Sequence, residues 1–270
     1  MPYASLLENP ASRTLLIPLV IRARESARPD RLFEDSLARD IEARLPRAGL
    51  DFPMHPFMRT GTAVRVRYFD DLAESFLAEA ERPVVVHLGC GLDTRFSRTD
   101  KGKGMHVHID LPEVMALRGR VLPESRDRCA DWPGSITDRD WMDRLEREFA
   151  GRRFLFMAEG VLMYLREEDV RMLLGNLADR FPGSRLAFDT VGRAVFRKIN
   201  RQSAVRQLDA SLSWGYDDDG SLDAWHPRLQ RLDRAYYFNR FRRRWGVWSL
   251  MHYYPPVGRG SVMHSFGILD

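Results

Sequence analysis

The sequence predicts an α/β fold in which a mostly parallel β-sheet is covered by helices on both faces. Two observations support this prediction: short apolar runs alternate with amphipathic stretches in the middle of the chain, and several of those runs end in glycine or an acidic residue. Strands separated by helices need crossover connections, which produce parallel sheets. The 270 residues suit one large domain or a domain with an added cap.

The first part of the chain is expected to be helical. Apolar residues recur three or four positions apart in two stretches, at Leu37, Ile41 and Leu45 and then at Val66, Phe69, Leu72 and Phe76. This spacing is typical of helices with one apolar face. We therefore predict an N-terminal helical segment over residues 1–82.

Residues 83–190 are predicted to form the core with most of the sheet. Five short apolar runs are candidate strands: Val84–Leu88, Met105–Ile109, a weaker run ending at Cys129-Ala130, Phe154–Ala158 and Leu186–Phe188. Amphipathic stretches such as Glu167–Phe181 separate these runs and are expected to be helices.

Beyond Val191 the alternation stops, and aromatic, acidic and basic residues gather in patches until a strand pattern returns near Ser261–Leu269. We predict a helical cap inserted after the fifth strand, over residues 191–240, and a closing helix and strands over 241–270. An insertion at that point lies over the carboxyl edge of the sheet, where open sheets bind ligands.

The charge of the chain gives little reason to expect a nucleic-acid partner. The 42 Lys and Arg residues are interleaved with 38 Asp and Glu residues, which leaves a net charge of +4. One basic run, Arg240–Trp245, contains aromatic residues and could bind a phosphate backbone. The preferred interpretation is a solvated helix start with Phe241 and Trp245 facing the core.

The cysteines and the apolar segments predict a cytoplasmic protein with no metal site and no membrane partner. Cys90 and Cys129 form no CxxC pair and have no histidine cluster at metal-ligand spacing. The N-terminal apolar run Leu15–Ile21 contains Pro18, and a membrane span needs roughly 18 apolar residues.

The segment Val84–Arg98 is the strongest candidate for a ligand-binding loop. The apolar strand stops at Leu88, and Gly89 and Gly91 remove side chains where the chain must turn and a ligand must approach the backbone. The following helix directs its N-terminal amides at that ligand. Taken alone, this Gly-x-Gly pattern fits a tight turn without a ligand equally well.

A carboxylate at the end of the second strand favours a nucleotide-type cofactor. Asp110 lies about twenty residues beyond the glycines, where it can accept both hydroxyls of an adenosine ribose. The loop lacks the third glycine of the dinucleotide pattern, since Thr94 lies three positions after Gly91. These features favour S-adenosylmethionine over a pyrophosphate ligand, although Arg95 adds a cation to the loop.

Two further strand ends are expected at the same pocket. Asp131 follows the third run and can reach an adenine amino group while Trp132 covers the ring; in the alternative, Asp131 only caps the turn before Pro133. Glu159 ends the fourth run, where a carboxylate is costly unless it faces a ligand or a partner.

Four segments together resemble the leucine carboxyl methyltransferase family, and most closely its bacterial tetracenomycin-type O-methyltransferase branch: Arg65–Asp71, Val84–Arg98, Ile109–Pro112 and Ala158–Leu165. The likeness extends over nearly the whole chain. It implies a Rossmann-like class I methyltransferase fold with a seven-stranded sheet. It also implies S-adenosyl-L-methionine as cofactor and S-adenosyl-L-homocysteine as product.

The resemblance further implies roles for single residues. Arg65 matches the arginine that holds the methionine carboxylate, Asp110 the ribose ligand, and Tyr164 a tyrosine near the methyl acceptor. The early basic ligand falls at Arg22 or Arg24, and Arg22 is preferred. The cofactor-binding set is then Arg22, Arg65, Gly89, Cys90, Gly91, Asp93, Arg95, Asp110, Leu111, Ala130, Asp131, Trp132, Glu159 and Gly160. His87 stands where asparagine or aspartate is usual.

The expected reaction is methyl transfer to an oxygen of a small molecule such as a polyketide-type secondary metabolite. A carboxylate acceptor is ionised at neutral pH, so Arg65 and Tyr164 suffice as anchors and are the expected catalytic residues. A phenol, with a pKa near 10, makes a base useful. The candidate bases are His226, His252 and His264, followed more weakly by His55, His106 and His108.

The cap is expected to supply acceptor contacts, chiefly Trp214 and His226. Its many aromatic residues suit a flat or apolar ligand, or they form the cap's own core. Two alternatives to a small-molecule acceptor stay open: methylation of a peptide or protein carboxyl terminus, and a cofactor-binding module without catalysis. The protein is expected to be a monomer or a homodimer.

Overall fold

The computed structural model describes residues 10–45, 55–122, 127–200 and 212–270, and for residues 10–14, 198–200 and 255–256 it describes the backbone alone. Parts of the predicted N-terminal segment, at 1–9 and 46–54, and of the predicted cap, at 201–211, lie outside the described residues.

One seven-stranded sheet forms the centre of the molecule, with strand order β3-β2-β1-β4-β5-β7-β6. β7 is antiparallel to both of its neighbours, and the other pairings are parallel. The mostly parallel α/β fold is therefore confirmed. The strands are β1 (Pro83–Leu88), β2 (Met105–Asp110), β3 (Cys129–Pro133), β4 (Arg153–Ala158), β5 (Arg185–Val191), β6 (Leu229–Tyr236) and β7 (Ser261–Ile268).

Helices and short 3₁₀ turns connect the strands. The helices are α1 (Pro10–Ser26), α2 (Ser36–Arg44), α3 (Pro56–Glu79), α4 (Arg95–Thr99), α5 (Pro112–Val121), α6 (Asp140–Glu148), α7 (Glu167–Arg180), α8 (Arg193–Asn200), α9 (Arg242–Trp245) and α10 (Pro255–Gly258). The 3₁₀ turns are Leu162–Tyr164, Ser221–Ala224, Tyr237–Asn239 and Gly246–Tyr253. None of the helices among the described residues has the length and apolar character needed to cross a membrane.

Helices cover both faces of the sheet. Every residue of β1 is buried, as expected for a strand packed on both sides. The apolar face of α3, including Phe69, packs with Val85 and Met157 on one face of the sheet. Leu145 of α6 and Leu173 of α7 pack on the opposite face. The helices α1 and α2 pack together against the glycine loop and α5.

β6 begins inside the range predicted as the cap, so part of 191–240 belongs to the sheet. Only Leu229 and Ala235 are buried along this strand, and the residues between them are charged or polar apart from one exposed leucine. An edge strand pairs on one side only and presents much of its surface to solvent. Its sequence therefore lacks the apolar alternation by which strands are recognised.

Near the C-terminus the basic run differs in part from its prediction. Trp245 is buried and packs against Phe57 and Phe238, as expected. Phe241 is instead exposed, and it precedes α9 in a left-handed conformation with a φ of 52°.

Candidate active site

The glycine loop turns sharply at the carboxyl end of β1. Gly89 and Gly91 have φ values of +67° and +48°, a left-handed conformation that favours glycine. The Gly89 amide donates to the Ile109 carbonyl at 2.8 Å. A Cβ atom at Gly89 would lie 2.5 Å from Cγ2 of Val161, so this position has room for glycine alone.

Asp110 closes one side of the loop from the end of β2. Its Oδ2 atom accepts a hydrogen bond from the Gly91 amide at 2.7 Å, and Oδ1 accepts one from the Leu111 amide at 2.8 Å. Burial raises the pKa of this carboxyl group, against the effect of the two amides. Each oxygen retains a lone pair that can accept a ligand hydroxyl.

Glu159 lies between two arginines at the turn after β4. Its Oε1 atom accepts from Nε of Arg65 at 3.0 Å, and Oε2 accepts from Nη2 of Arg95 at 2.5 Å. Arg95 also contacts Asp93 and Asp70 and is 1% exposed. Arg95, the cation expected at the loop, is thus buried and neutralised by carboxylates. It is not available to bind a phosphate.

A buried ion network beneath the loop joins it to the N-terminal helices, and the sequence did not predict its members Asp35, Asp70 and Arg98. Asp35 caps α2 through the Ala38 amide and accepts hydrogen bonds from Arg22, Thr94 and Arg98, at 3.0, 2.5 and 2.7 Å respectively. Against the effect of burial, Arg98 and Arg22 hold the pKa of Asp35 below its ordinary value. For Asp35, an aspartate directly before an amphipathic stretch is the signal that could have identified it as a helix cap.

Arg22 binds the loop directly. Its Nη2 atom donates to the Leu92 carbonyl at 2.7 Å, while Nε is held by Asp35. Leu15 and Pro18 lie on the same helix and line the same cavity as Arg22. α1 therefore covers the glycine loop.

These residues surround a cavity of about 440 Å³, a volume within the range of small-ligand sites. Twelve of the predicted site residues line it: Arg22, Arg65, Gly89, Cys90, Gly91, Asp93, Arg95, Asp110, Leu111, Glu159, Gly160 and Tyr164. The structure thus brings together the glycine loop, the ends of β2 and β4, and side chains of α1 and α3.

The predicted adenine contacts, Ala130, Asp131 and Trp132, are not among the residues that line this cavity. Trp132 is buried in the core, where its ring stacks on Phe149 at 6.2 Å and lies below Arg144. Asp131 lies 2.9 Å from Nδ1 of His108. Ala130 packs against the same core as Trp132. The cavity wall at this strand is formed instead by Gly134, Ser135 and Ile136.

The two predicted cap residues, Trp214 and His226, do not line the cavity either. Trp214 is buried in the core against Tyr216 and Trp225. His226 lies 3.2 Å from Asp179, near the end of α7 and just before β6 begins. That position is at the amino edge of β5, opposite the glycine loop, so the prediction that these residues contact the acceptor has no support here.

Tyr164 ends the 3₁₀ turn that follows Glu159 and Gly160. Its amide donates to the Val161 carbonyl at 3.0 Å, and its side chain is 48% exposed at the cavity. Partial burial raises the pKa of its phenol, with a smaller opposing effect from Arg65. The hydroxyl therefore stays protonated at neutral pH and can donate a hydrogen bond.

The candidate base histidines do not line the cavity. His264 accepts from Arg231 at 2.8 Å and contacts Thr190 at 2.9 Å, and burial lowers its pKa to about 3. His252 packs against Tyr236 and Tyr253. His55 caps α3 by accepting from the Phe57 amide. Among the described cavity residues, His87 is the one histidine.

His87, His106 and His108 form a buried stack beneath the loop. Nε2 of His87 lies 3.0 Å from Nδ1 of His106, and the His87 and His108 rings are 4.7 Å apart and nearly parallel at 16°. Burial lowers the pKa of all three, to about 4 for His106 and about 3 for His108. A metal ion lies in the plane of each imidazole that binds it, and two such parallel rings share no common in-plane position.

Comparisons with known proteins agree on one family. The model of that family, leucine carboxyl methyltransferase, matches residues 16–178. The tetracenomycin polyketide synthesis O-methyltransferase TcmP of Streptomyces glaucescens is 32% identical and aligns over 87% of this chain and 82% of its own length. The S-adenosyl-L-methionine-dependent methyltransferase dpfgK of Gibberella zeae is 26% identical, over 86% and 84%.

Solved structures share the fold. A DUF574 family protein from Streptomyces avermitilis superposes with a TM-score of 0.58 at 14% identity, covering 92% of this chain and 96% of its own. A candidate methyltransferase from Thermobifida fusca gives a TM-score of 0.57 at 14% identity, over 94% and 95%. Both likenesses extend over nearly the whole of each chain, so the architecture is shared from the N-terminal helices to the closing strands.

Proposed function

The chain belongs to the leucine carboxyl methyltransferase family and is an S-adenosylmethionine-dependent methyltransferase, and from this premise we propose that it methylates a carboxylate oxygen of a small molecule. Bound S-adenosylmethionine supplies a methyl group already activated on a sulfonium. The protein then has to bind the cofactor, align an acceptor oxygen and exclude water.

The residues around the cavity fit the cofactor. Asp110 retains lone pairs for the ribose hydroxyls, since each of its oxygens accepts only one backbone amide. Gly89 and Gly91 let the ligand approach the loop backbone. Arg65 is a cation suited to the methionine carboxylate. Glu159 adds a carboxylate beside it, which suits the methionine ammonium.

The chemical class of the acceptor is proposed from the cavity residues that are not assigned to the cofactor. The single observation that supports a carboxylate is that His226, His252 and His264 are all outside the cavity, so no predicted base is available to a phenol. His87 is buried, and its ring nitrogens face His106 and Asp93. A carboxylate with a pKa near 4 is already ionised at neutral pH. It needs only alignment, for which the Tyr164 hydroxyl is the proposed donor.

The class of small molecule is proposed from the Streptomyces relative, whose name assigns it to polyketide synthesis. We therefore propose a carboxylated, polyketide-sized acceptor.

The test incubates the purified protein with methyl-labelled S-adenosylmethionine and matched pairs of small aromatic acids and phenols. A methyl ester releases labelled methanol in mild alkali, whereas a methyl ether does not. Label in small molecules that is released by alkali is the expected result. Alkali-stable label would overturn the carboxylate assignment, and label confined to peptide or protein carboxyl termini would overturn the small-molecule assignment. Cofactor binding without any transfer would identify a non-catalytic module.

A further inference from the structure

We propose that Asp189 is a positioning residue, which holds Arg65 and the Gly160 turn in the geometry that binds the cofactor and links them to Tyr237. This inference rests on the proposed role of Arg65 toward the methionine carboxylate. Asp189 lies near the carboxyl end of β5, between β4 and β7 in the sheet, and it is not among the site residues predicted from the sequence.

Asp189 receives three hydrogen bonds from three different parts of the chain. Its Oδ2 atom accepts from Nη1 of Arg65 at 3.2 Å and from the Tyr237 hydroxyl at 3.1 Å. Its Oδ1 atom accepts from the Gly160 amide at 2.6 Å. The side chain is 1% exposed, so no solvent competes for these contacts. A buried carboxylate with three donors is fixed in position.

The contacts of Arg65 indicate that Asp189 orients its guanidinium group. Nε donates to Glu159 and Nη1 donates to Asp189, and within the described ranges Nη2 makes no hydrogen bond. Two carboxylates therefore set the plane of the guanidinium and leave one edge for a ligand. Because Asp189 is almost fully buried while Glu159 borders the cavity, Asp189 is the anchor that a bound ligand does not displace.

The hydrogen bond from the Gly160 amide means that Asp189 also holds the turn after β4. Gly160 has a φ of +70°, and a Cβ atom at this position would lie 3.0 Å from the nitrogens Nη1 and Nη2 of Arg65. The turn therefore lies close to the guanidinium and leaves no room for a side chain between them. Asp189 bonds to both, and it fixes the spacing between the Glu159 turn and α3.

Tyr237 extends this arrangement to the segment that follows β6. Its ring packs against α3 at Gly61, where an added Cβ would lie 3.5 Å from the Cδ2 atom of the tyrosine. Gly61 is one helical turn before Arg65. Burial raises the pKa of the Tyr237 phenol well above its ordinary value, so the hydroxyl remains a donor. The closing segment and the cofactor site thus share one carboxylate.

The first experiment measures S-adenosylmethionine and S-adenosylhomocysteine affinity of Asp189→Asn by calorimetry. Asparagine keeps the size of the side chain and an oxygen for the Gly160 amide, but removes the charge. Both affinities are expected to fall roughly tenfold to a hundredfold, as for the loss of a charged hydrogen bond. Tyr237→Phe is expected to weaken both by a smaller factor. Asp233→Asn is the control, because Asp233 accepts from Tyr68 in a similar pair away from the cavity.

The second experiment separates positioning from a general structural role. If Asp189 acts through Arg65, Asp189→Asn has no further effect on affinity in an Arg65→Met background. It should also raise the Tm of Arg65→Met, because it removes a buried carboxylate that has lost its partner. An equal loss of affinity in both backgrounds would overturn the proposal. If Arg65→Met does not fold, Arg65→Lys replaces it, and the same loss of additivity is expected.

The same affinity measurements test the proposed role of Arg65 separately from that of Asp189. Failure of the wild-type protein to bind S-adenosylmethionine, or wild-type affinity in Arg65→Met, would contradict the role given to Arg65. Wild-type affinity in Asp189→Asn, with the affinity of Arg65→Met reduced, would contradict only the positioning role of Asp189.

Discussion

The Gly91 amide donates a hydrogen bond to Oδ2 of Asp110 over 2.7 Å, so the glycine loop and the carboxylate at the end of β2 are held as one unit. The loop conformation therefore depends on a side chain from another strand. Asp110 thus holds the loop in place in addition to its proposed contact with the ribose.

Asp110→Ala is expected to abolish measurable S-adenosylmethionine binding, because it removes both the ribose ligand and the acceptor of the Gly91 amide. Asp110→Asn keeps an acceptor for that amide and should bind weakly. Calorimetry checks both variants against Glu113→Ala, a change in the first turn of α5. Near-normal affinity in Asp110→Ala would show that the ribose lies elsewhere.

Gly89→Ala is expected to disrupt the loop more than backbone strain alone can explain. A left-handed alanine costs about 1–2 kcal/mol. At Gly89 its methyl group also meets Val161 at 2.5 Å, and such overpacking costs about 1–3 kcal/mol more. Gly102→Ala is the matched control, since its φ is +84° with nothing within 4 Å. Urea denaturation of both variants tests whether the difference exists.

Tyr164→Phe should slow methyl transfer and leave cofactor affinity unchanged, because its hydroxyl is proposed to align the acceptor alone. A drop of roughly tenfold in kcat corresponds to the loss of about 1.4 kcal/mol of transition-state stabilisation. Steady-state kinetics with the acceptor found above gives kcat and the KM for each substrate. Tyr254→Phe, at an exposed tyrosine, controls for the substitution, and equal kcat values in the two variants would remove Tyr164 from the reaction.

Arg95→Met is expected to destabilise the fold by about 3–5 kcal/mol, the usual cost of leaving buried carboxylates without their partner. Arg95 contacts Asp70, Asp93 and Glu159. The control is Arg166→Met, which removes an ion pair from a side chain that is 67% exposed and should change the free energy of unfolding by less than about 1 kcal/mol. Similar losses in the two variants would mean that the buried network adds no stability.

The buried histidine stack predicts that stability falls as the pH is lowered below about 6.5, the ordinary pKa of histidine. In the folded protein, burial lowers the pKa of His106 to about 4 and that of His108 to about 3. The unfolded chain therefore binds more protons between these values and about 6.5, and each histidine contributes up to about 1.4 kcal/mol per pH unit in that window.

Urea denaturation at pH 7.5 and 5.5 measures this slope. His106→Gln should reduce it by up to one proton. The raised pKa values of Asp110 and Asp189 act in the opposite direction, because the folded state then takes up protons before the unfolded one. An identical slope in wild-type protein and His106→Gln would contradict the role given to the stack.

The sequence predicts those features that depend on local pattern. The buried strands of the core are continuous apolar runs, and the glycine loop is marked by Gly89 and Gly91, because both signals are short in range. Asp110 and Glu159 were found for a similar reason, since each is an acidic residue directly after or at the end of an apolar run.

Features that depend on partners distant in sequence were not predicted. Asp189 bonds to Arg65 over 124 residues, and nothing near it in sequence shows this. The adenine contacts stay a prediction: Asp131 and Trp132 do not line the cavity, and as successive residues of β3 they point to opposite faces of the sheet. Asp131 and Trp132 therefore cannot both face the same ligand. The sequence alone does not say which one does.

The charged outer strand β6 has a consequence for the behaviour of the protein at high concentration. A free sheet margin offers unpaired backbone groups to the strands of other molecules. On β6, exposed arginine and aspartate side chains and an irregular register between Arg231 and Asp233 make that margin a poor template. At the opposite margin β3 is only five residues long and ends at Pro133. Both margins thus disfavour edge-to-edge pairing between copies of this chain in a crowded solution.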